Sequence, residues 1–217
     1  HNGNDFFGYR AGFTITTGQL NVGIGTQALQ NISTGIRNVA LGSSAASLIT
    51  TGTYNTMLGY EAGRYIAKGS YSVTVGVQAG LYATASANTF VGGYAGYGGN
   101  SSAPYSSGGS NTAIGYEALK RFTSGQDNTA LGNQALSYVS TGGSNIGIGI
   151  GAGGNTTTAN GNTYIGRGTG YNNQSGIENV IIGEYGYSQT TGVVNFRNVT
   201  TLGSNAGRYA TGSYNTF

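Results

Sequence analysis

The chain repeats itself every 17 residues. Aligning Asn55-Thr-Met-Leu-Gly59, Asn111-Thr-Ala-Ile-Gly115 and Asn128-Thr-Ala-Leu-Gly132 places an anchor glycine at Gly8, Gly25, Gly42, Gly59, Gly76, Gly92, Gly115, Gly132, Gly149, Gly166, Gly183 and Gly203. Eight of the eleven steps are 17, the others 16, 23 and 20. A fixed period of this length is the mark of a repeat architecture, in which each unit is too small to bury its own apolar face and must stack on its neighbours. The whole of 1–217 therefore reads as a single array of about 12 coils. Asn215-Thr-Phe217 begins a further copy, so the sequence reads as a fragment of a longer chain.

Numbered from its asparagine, the unit is N-[TV]-x-[ILV]-G-x-x-A-[GL]-x-x-[I/F/V]-x-[ST]-G-x-x. Positions 2 and 4 carry pairs such as Val22/Ile24, Val39/Leu41, Val73/Val75 and Ile146/Ile148. Strand side chains alternate with period two, so these pairs share one face, and their apolar character predicts that this face is the core. Position 5 is always glycine, which predicts a turn there: Gly25, Gly42, Gly59, Gly76, Gly92, Gly115, Gly132, Gly149, Gly166 and Gly183 are the candidate structural turn residues. Position 8 is nearly always alanine, and position 12 returns to the core with Ile32, Ile49, Ile66, Phe122 and Val139. The Thr-Gly and Ser-Gly pairs that follow mark a second turn. Each unit thus predicts two short strands and two turns.

A helical reading competes in Tyr116-Glu-Ala-Leu-Lys-Arg-Phe122 and Asn133-Gln-Ala-Leu-Ser-Tyr-Val139. Other copies place glycine or β-branched residues in that stretch, which costs helix stability and favours the β reading. The expected fold is an all-β, parallel β-solenoid, or β-roll. At about 4.8 Å between stacked strands, a dozen coils make a rod on the order of 60 Å long. Position 1 is asparagine in ten of twelve copies, with Ser72 and Val199 as exceptions, so stacking predicts a column of amides hydrogen-bonded along the axis.

Composition removes competing classes. The 42 glycines lack the every-third spacing of collagen, and there is 1 proline. Disorder combines low hydrophobicity with high net charge, whereas here 37% of residues are apolar and the net charge is +3. No apolar run is long enough for a membrane helix, which argues against membrane insertion, and His1 to Arg10 has no signal-segment pattern. With no cysteine and 1 histidine, thiolate and imidazole metal sites are not expected. The nine Lys and Arg are scattered, so nucleic-acid binding by phosphate neutralisation is not expected either.

Gly23-Ile-Gly25-Thr-Gln-Ala28 and Gly147-Ile-Gly149-Ile-Gly151-Ala152 match the dinucleotide-binding spacing, but no strand-helix-strand context or downstream acid accompanies them. Glu61 and Glu117 share position 7 with two copies between them, about 14 Å apart at the stacking spacing, too far for paired acid-base catalysis. No enzyme, no cofactor and no metal is the expectation.

The departures from the period are the candidate contact points. The 23-residue step inserts residues near 98–110, including Tyr105, and a smaller insertion spans 193–197, including Phe196. Insertions in solenoids map to loops on one face, so Tyr105 and Phe196 are candidate surface contacts, weighed against a tolerated bulge. Tyr9, Tyr60 and Tyr116 share position 6, and Tyr54, Tyr71 and Tyr214 share position 17. These partial tyrosine columns suit an interface with a glycan or, as the favoured use, burial between chains.

The Asn-Thr-Ala-[Ile/Leu]-Gly cores with Ala118 and Ala135 resemble the head repeats of trimeric autotransporter adhesins. Gly212-Ser-Tyr-Asn-Thr-Phe217 and Asn55-Thr-Met-Leu-Gly-Tyr-Glu-Ala-Gly63 resemble the glycine-rich arrays of phage tail fibres. The resemblance covers nearly the whole chain and implies a left-handed roll, a homotrimer, and an extracellular or virion-surface location. The unit is longer than a typical adhesin head repeat, and no neck, stalk or anchor pattern is present.

The expected function is therefore the structural shaft or head of an extracellular fibre that mediates host or surface attachment, with self as its partner in a homotrimer and a cell-surface glycan or receptor as its target. Two alternatives stand beside it. One is a self-assembling secreted filament built from open sheet edges. The other is an ice- or glycan-binding solenoid, against which stands the expectation that position 2 threonines point inward.

Overall fold

The computed structural model describes residues 2–99, 101–102, 105–186, 195–208 and 212–216. The chain is an all-β parallel solenoid of roughly 17 residues per coil, with no helix among the described residues. The strands are β1 (Asp5–Phe7), β2 (Val22–Ile24), β3 (Val39–Leu41), β4 (Thr56–Leu58), β5 (Val73–Val75), β6 (Thr89–Val91), β7 (Thr112–Ile114), β8 (Thr129–Leu131), β9 (Ile146–Ile148), β10 (Thr163–Ile165), β11 (Val180–Ile182) and β12 (Thr200–Leu202). They form one 12-stranded sheet in sequence order, each strand parallel to the next. Register follows the period: Val22 pairs with Val39 and Thr112 with Thr129, and across the long step Thr89 pairs with Thr112. Thr216 continues the stack by bridging to Thr200.

Each coil contains one three-residue strand, not two. The stretch from position 6 to position 11 is a run of turns, seen over residues 26–31. The N–H groups of Ala28 and Gln30 donate to the Gly25 and Gln27 carbonyls three residues back, at 3.2 Å each. Gln27 and Leu29 occupy the third place of those turns at φ +60° and +50°, as type II turns demand. The intervening N–H groups donate between coils, Gln27 to Tyr9 at 2.8 Å and Leu29 to Ala45 at 3.0 Å. A second strand would leave the left-handed residues out of register. Stacked turns satisfy every second amide within the coil and the rest across coils.

The expected core face is inverted. Position 3 is buried, and positions 2 and 4 face outward: Ala40, Met57, Phe90, Ala113, Ala130, Tyr164 and Ile181 are fully buried, whereas Ile24 is 43% and Leu131 44% exposed. The asparagines set the phase. Asn38 Oδ1 accepts the Asn55 backbone N–H at 3.1 Å and its Nδ2–H at 2.9 Å, while Asn38 Nδ2 donates to the Asn21 Oδ1 at 3.0 Å and to the Gly52 carbonyl at 2.8 Å. The same bonds recur through Asn111, Asn128, Asn145, Asn162 and Asn179. An amide that closes its own turn and receives the next coil's backbone must lie inside. Period-two alternation then carries position 3 inward with it.

The interior is filled by exchange of volume between position 3 and position 9. In four coils a large position 3 residue faces a position 9 glycine: Phe6 with Gly12, Met57 with Gly63, Phe90 with Gly96, Tyr164 with Gly170. Where position 3 is Gly23, Ala113 or Ala130, position 9 is a fully buried Leu29, Leu119 or Leu136. Alanines at position 8 and Ile32, Ile49, Ile66, Phe122 and Val139 at position 12 close the core from the side opposite the strand. The Tyr164 phenol is buried, which pushes its pKa well above the ordinary value, and its oxygen accepts from Asn173 Nδ2 at 2.7 Å.

The anchor glycines run at φ between +117° (Gly166) and +140° (Gly183). A Cβ on Gly42 would lie 2.4 Å from the Gly59 carbonyl oxygen of the next coil. Both the backbone conformation and the close approach exclude a side chain at position 5.

Candidate functional site

The stacking that builds the core also brings outward residues of one position into a line. Tyr65 follows β4 and Tyr82 follows β5, both at position 11, one residue before an inward-facing side chain. Their backbones are tied coil to coil by Tyr65 N–H to the Leu81 carbonyl at 3.0 Å and Tyr82 N–H to the Tyr97 carbonyl at 2.8 Å. The rings lie 4.9 Å apart, the offset separation that aromatic pairs favour.

The long step completes this column. Gly98 and Gly99 still donate to the next coil, to the Lys120 and Phe122 carbonyls at 3.0 and 2.6 Å. Past the insertion the stack resumes at Ser106, which bridges to Ala83, donates its backbone N–H to the Tyr82 carbonyl at 3.0 Å and its hydroxyl to the Phe122 carbonyl at 2.8 Å. Ser106 is fully buried and acts as the latch. Tyr105, just before it, is therefore set over both earlier rings, 4.8 Å from Tyr65 and 5.8 Å from Tyr82, nearly parallel to the latter at 14°. Tyr97 meets Tyr82 edge-on at 5.2 Å, Tyr94 lies 5.8 Å from Tyr97, and Tyr116 lies 6.0 Å from Tyr94. Six of the 17 tyrosines thus form one continuous patch.

Charged groups border it. Arg64 lies 5.5 Å from the centre of the Tyr65 ring and Lys120 5.4 Å from that of Tyr94. Both cations are committed to carboxylates: Arg64 pairs with Glu61, which also accepts from Gln78 at 2.7 Å, and Lys120 pairs with Glu117 at 2.6 Å. The hydrogen bond from Lys120, with a second from Gln134, holds the Glu117 carboxyl below its usual range. The negative charge of Glu117 in turn raises the Tyr116 phenol. Tyr82 is raised by burial first and by Tyr97 second. Arg121 is exposed, lies over the Tyr138 ring at 4.6 Å, and forms no ion pair among the described residues.

Between the patch and these cations opens a cleft of about 240 Å³, lined by Tyr97, Gly98, Gly99, Ser101, Lys120 and Arg121. A cleft of about 320 Å³ at Asn4, Asp5, Phe6, Phe7 and Ile24 is the uncovered edge of the first coil. Among the described residues, no three His, Cys, Asp or Glu side chains lie together as metal ligands would.

The two expected contact residues part company. Tyr105 joins the patch, half-buried against other rings. Phe196 does not reach the surface: it is 1% exposed, and its carbonyl accepts from Asn179 Nδ2 at 2.9 Å, so it is core and not a contact. The rest of the second insertion, Val193 included, lies outside the described residues. The tyrosine pair at position 17 does stack, Tyr54 on Tyr71 at 5.1 Å and 6°. Tyr65, Tyr82, Tyr94 and Tyr97 escaped the sequence reading. Tyr65 and Tyr82 are 17 residues apart and were legible from the period, but the contacts of Tyr94 and Tyr97 depend on where the insertion leaves the coil. No protein-family model, no curated protein and no solved structure matches this chain.

Proposed function

We propose that the chain is a shaft or head segment of an extracellular or virion-surface fibre, of tail-fibre or adhesin type, built as a left-handed homotrimer and serving attachment to a surface. The observation that carries this reading is the outer face of the sheet. Position 4 presents an unbroken aliphatic rank there, with Ile24, Leu41, Leu58, Ile114 and Leu131 between 37% and 44% exposed on a face many coils long. A contiguous apolar surface of this extent is the property of a face covered by another chain. Three copies meeting along it bury the rank while leaving the opposite side of each coil in water. Sedimentation equilibrium is the test: the trimer mass is expected, and Leu58→Arg with Leu131→Arg should dissociate it, whereas a stable monomer of the unmodified chain overturns the reading.

One observation favours a second reading, an ice-binding face. Thr56, Thr89, Thr112, Thr129 and Thr163 at position 2 face outward beside the aliphatic rank, so the expectation that they point inward no longer counts against it. Valines interrupt their rank at Val22, Val39 and Val73, which keeps the fibre reading ahead. Thermal hysteresis in a monomeric sample would reverse that order.

A further inference from the structure

We infer that the tyrosine patch and its cleft form a binding site for a carboxylate-bearing saccharide chain. The position 11 rings lie across the core from the strand, so the site is independent of the sheet's outer face. The C–H faces of a pyranose ring stack on the electron-rich face of an aromatic ring, while its hydroxyls bond to polar groups at the ring's rim. Tyrosine offers both. Tyr65, Tyr82 and Tyr105 all touch one another, at 4.9, 4.8 and 5.8 Å, a compact three-ring cluster whose outer surface offers a platform for a sugar unit beside the cleft.

The charge of the ligand follows from which cations are already occupied. Arg64 and Lys120 are neutralised by Glu61 and Glu117. Arg121 lines the cleft, is exposed, and lies over the Tyr138 ring at 4.6 Å with no carboxylate partner among the described residues. A planar guanidinium in that state is a ready bidentate site for a carboxylate. One available cation beside stacked rings fits a saccharide with an acidic group on one sugar at a time.

A single nucleic-acid strand also stacks on aromatic side chains, but it needs a cationic groove that follows the phosphates. Here two of the three cations are already paired, so no row of free cations follows the rings. The anionic saccharide is therefore the better match.

The surface ligand rests on the reading of this chain as an attachment fibre, and the two fail separately: sedimentation tests the fibre, and titration of the same sample tests the site. Alginate oligosaccharides, neutral dextran oligosaccharides and oligothymidylate are titrated against the whole chain by calorimetry. Saturable binding of alginate is expected, at least about tenfold weaker after Arg121→Gln and after Tyr105→Ala, the scale of an aromatic or arginine anchor. Tyr105→Ala removes a ring from the latch region and is judged only if its melting curve stays cooperative. Arg121→Gln alters an exposed side chain and decides the matter alone. No alginate binding, binding that Arg121→Gln leaves unchanged, equal binding of dextran, or preferential binding of oligothymidylate would each overturn the proposal.

Discussion

The Phe90 ring fills the space that a side chain on Gly96 would need: ring carbons lie 2.4 Å from where the Gly96 Cβ would stand. The two residues sit at positions 3 and 9 of one coil. Two coils further on, the same places hold Ala130 and a fully buried Leu136, the large group having moved from the strand to the turn. Gly96 has φ +54° and Leu136 has φ +49°, so the backbone is the same in both arrangements and only the volume is exchanged.

This relationship makes a swap testable. Phe90→Ala leaves a cavity and should cost about 3–5 kcal/mol. Gly96→Leu alone drives a side chain into the Phe90 ring and should cost several kcal/mol, or block folding. The double substitution Phe90→Ala with Gly96→Leu recreates the Ala130/Leu136 packing. It should be less destabilised than the two single changes added together, by at least about 2 kcal/mol of coupling in denaturant unfolding. Additive effects would show that the two positions do not share one space.

The amide column should be costly to interrupt. Asn145 donates to the Asn128 side chain at 3.1 Å and to the Ala159 carbonyl at 2.8 Å, and accepts from the Asn162 backbone at 3.1 Å and side chain at 3.0 Å. Asn145→Ala strands buried donors and acceptors on both neighbouring coils, with an expected loss of about 3 kcal/mol. Asn145→Ser should lose less. Ser72 occupies the same place naturally, and its hydroxyl accepts the Asn88 N–H at 3.3 Å. Equal losses for serine and alanine, read from urea midpoints, would count against the amide as the feature that sets the face.

Acid should weaken the coil that carries Glu117. Its folded carboxyl titrates below the ordinary value of 4.5 because Lys120 first, and Gln134 second, bond to the charged form. A lowered folded value means the stabilisation is fully present above the unfolded value and disappears as pH falls through the folded one. The difference in melting temperature between the unmodified chain and Glu117→Gln should therefore be largest near neutral pH and shrink on acidification below about pH 4.5. A difference that stays constant down to about pH 3 would mean the ion pair contributes nothing.

Periodicity made the fold legible. Strand order, parallel pairing and register follow from the spacing of Gly25, Gly42, Gly59 and their equivalents, because a repeated unit with one short apolar strand can bury it only by stacking on its copies. The candidate site was legible only in part. Tyr105 stood out as a departure from the period, whereas its contacts with Tyr65 and Tyr82 depend on Ser106 re-entering the stack opposite Ala83.

The sequence by itself determined the length of the coil, the direction of every strand and the places where no side chain fits. The tertiary structure alone decided which side of each strand is the inside. Aliphatic side chains at positions 2 and 4 and the amide at position 1 compete for the interior, and hydrophobicity favours the aliphatics. The interior goes to Asn38, Asn55 and their equivalents because a buried amide closes its own turn and clasps the coil above, while an aliphatic chain left outside loses only contact area that a further surface can restore.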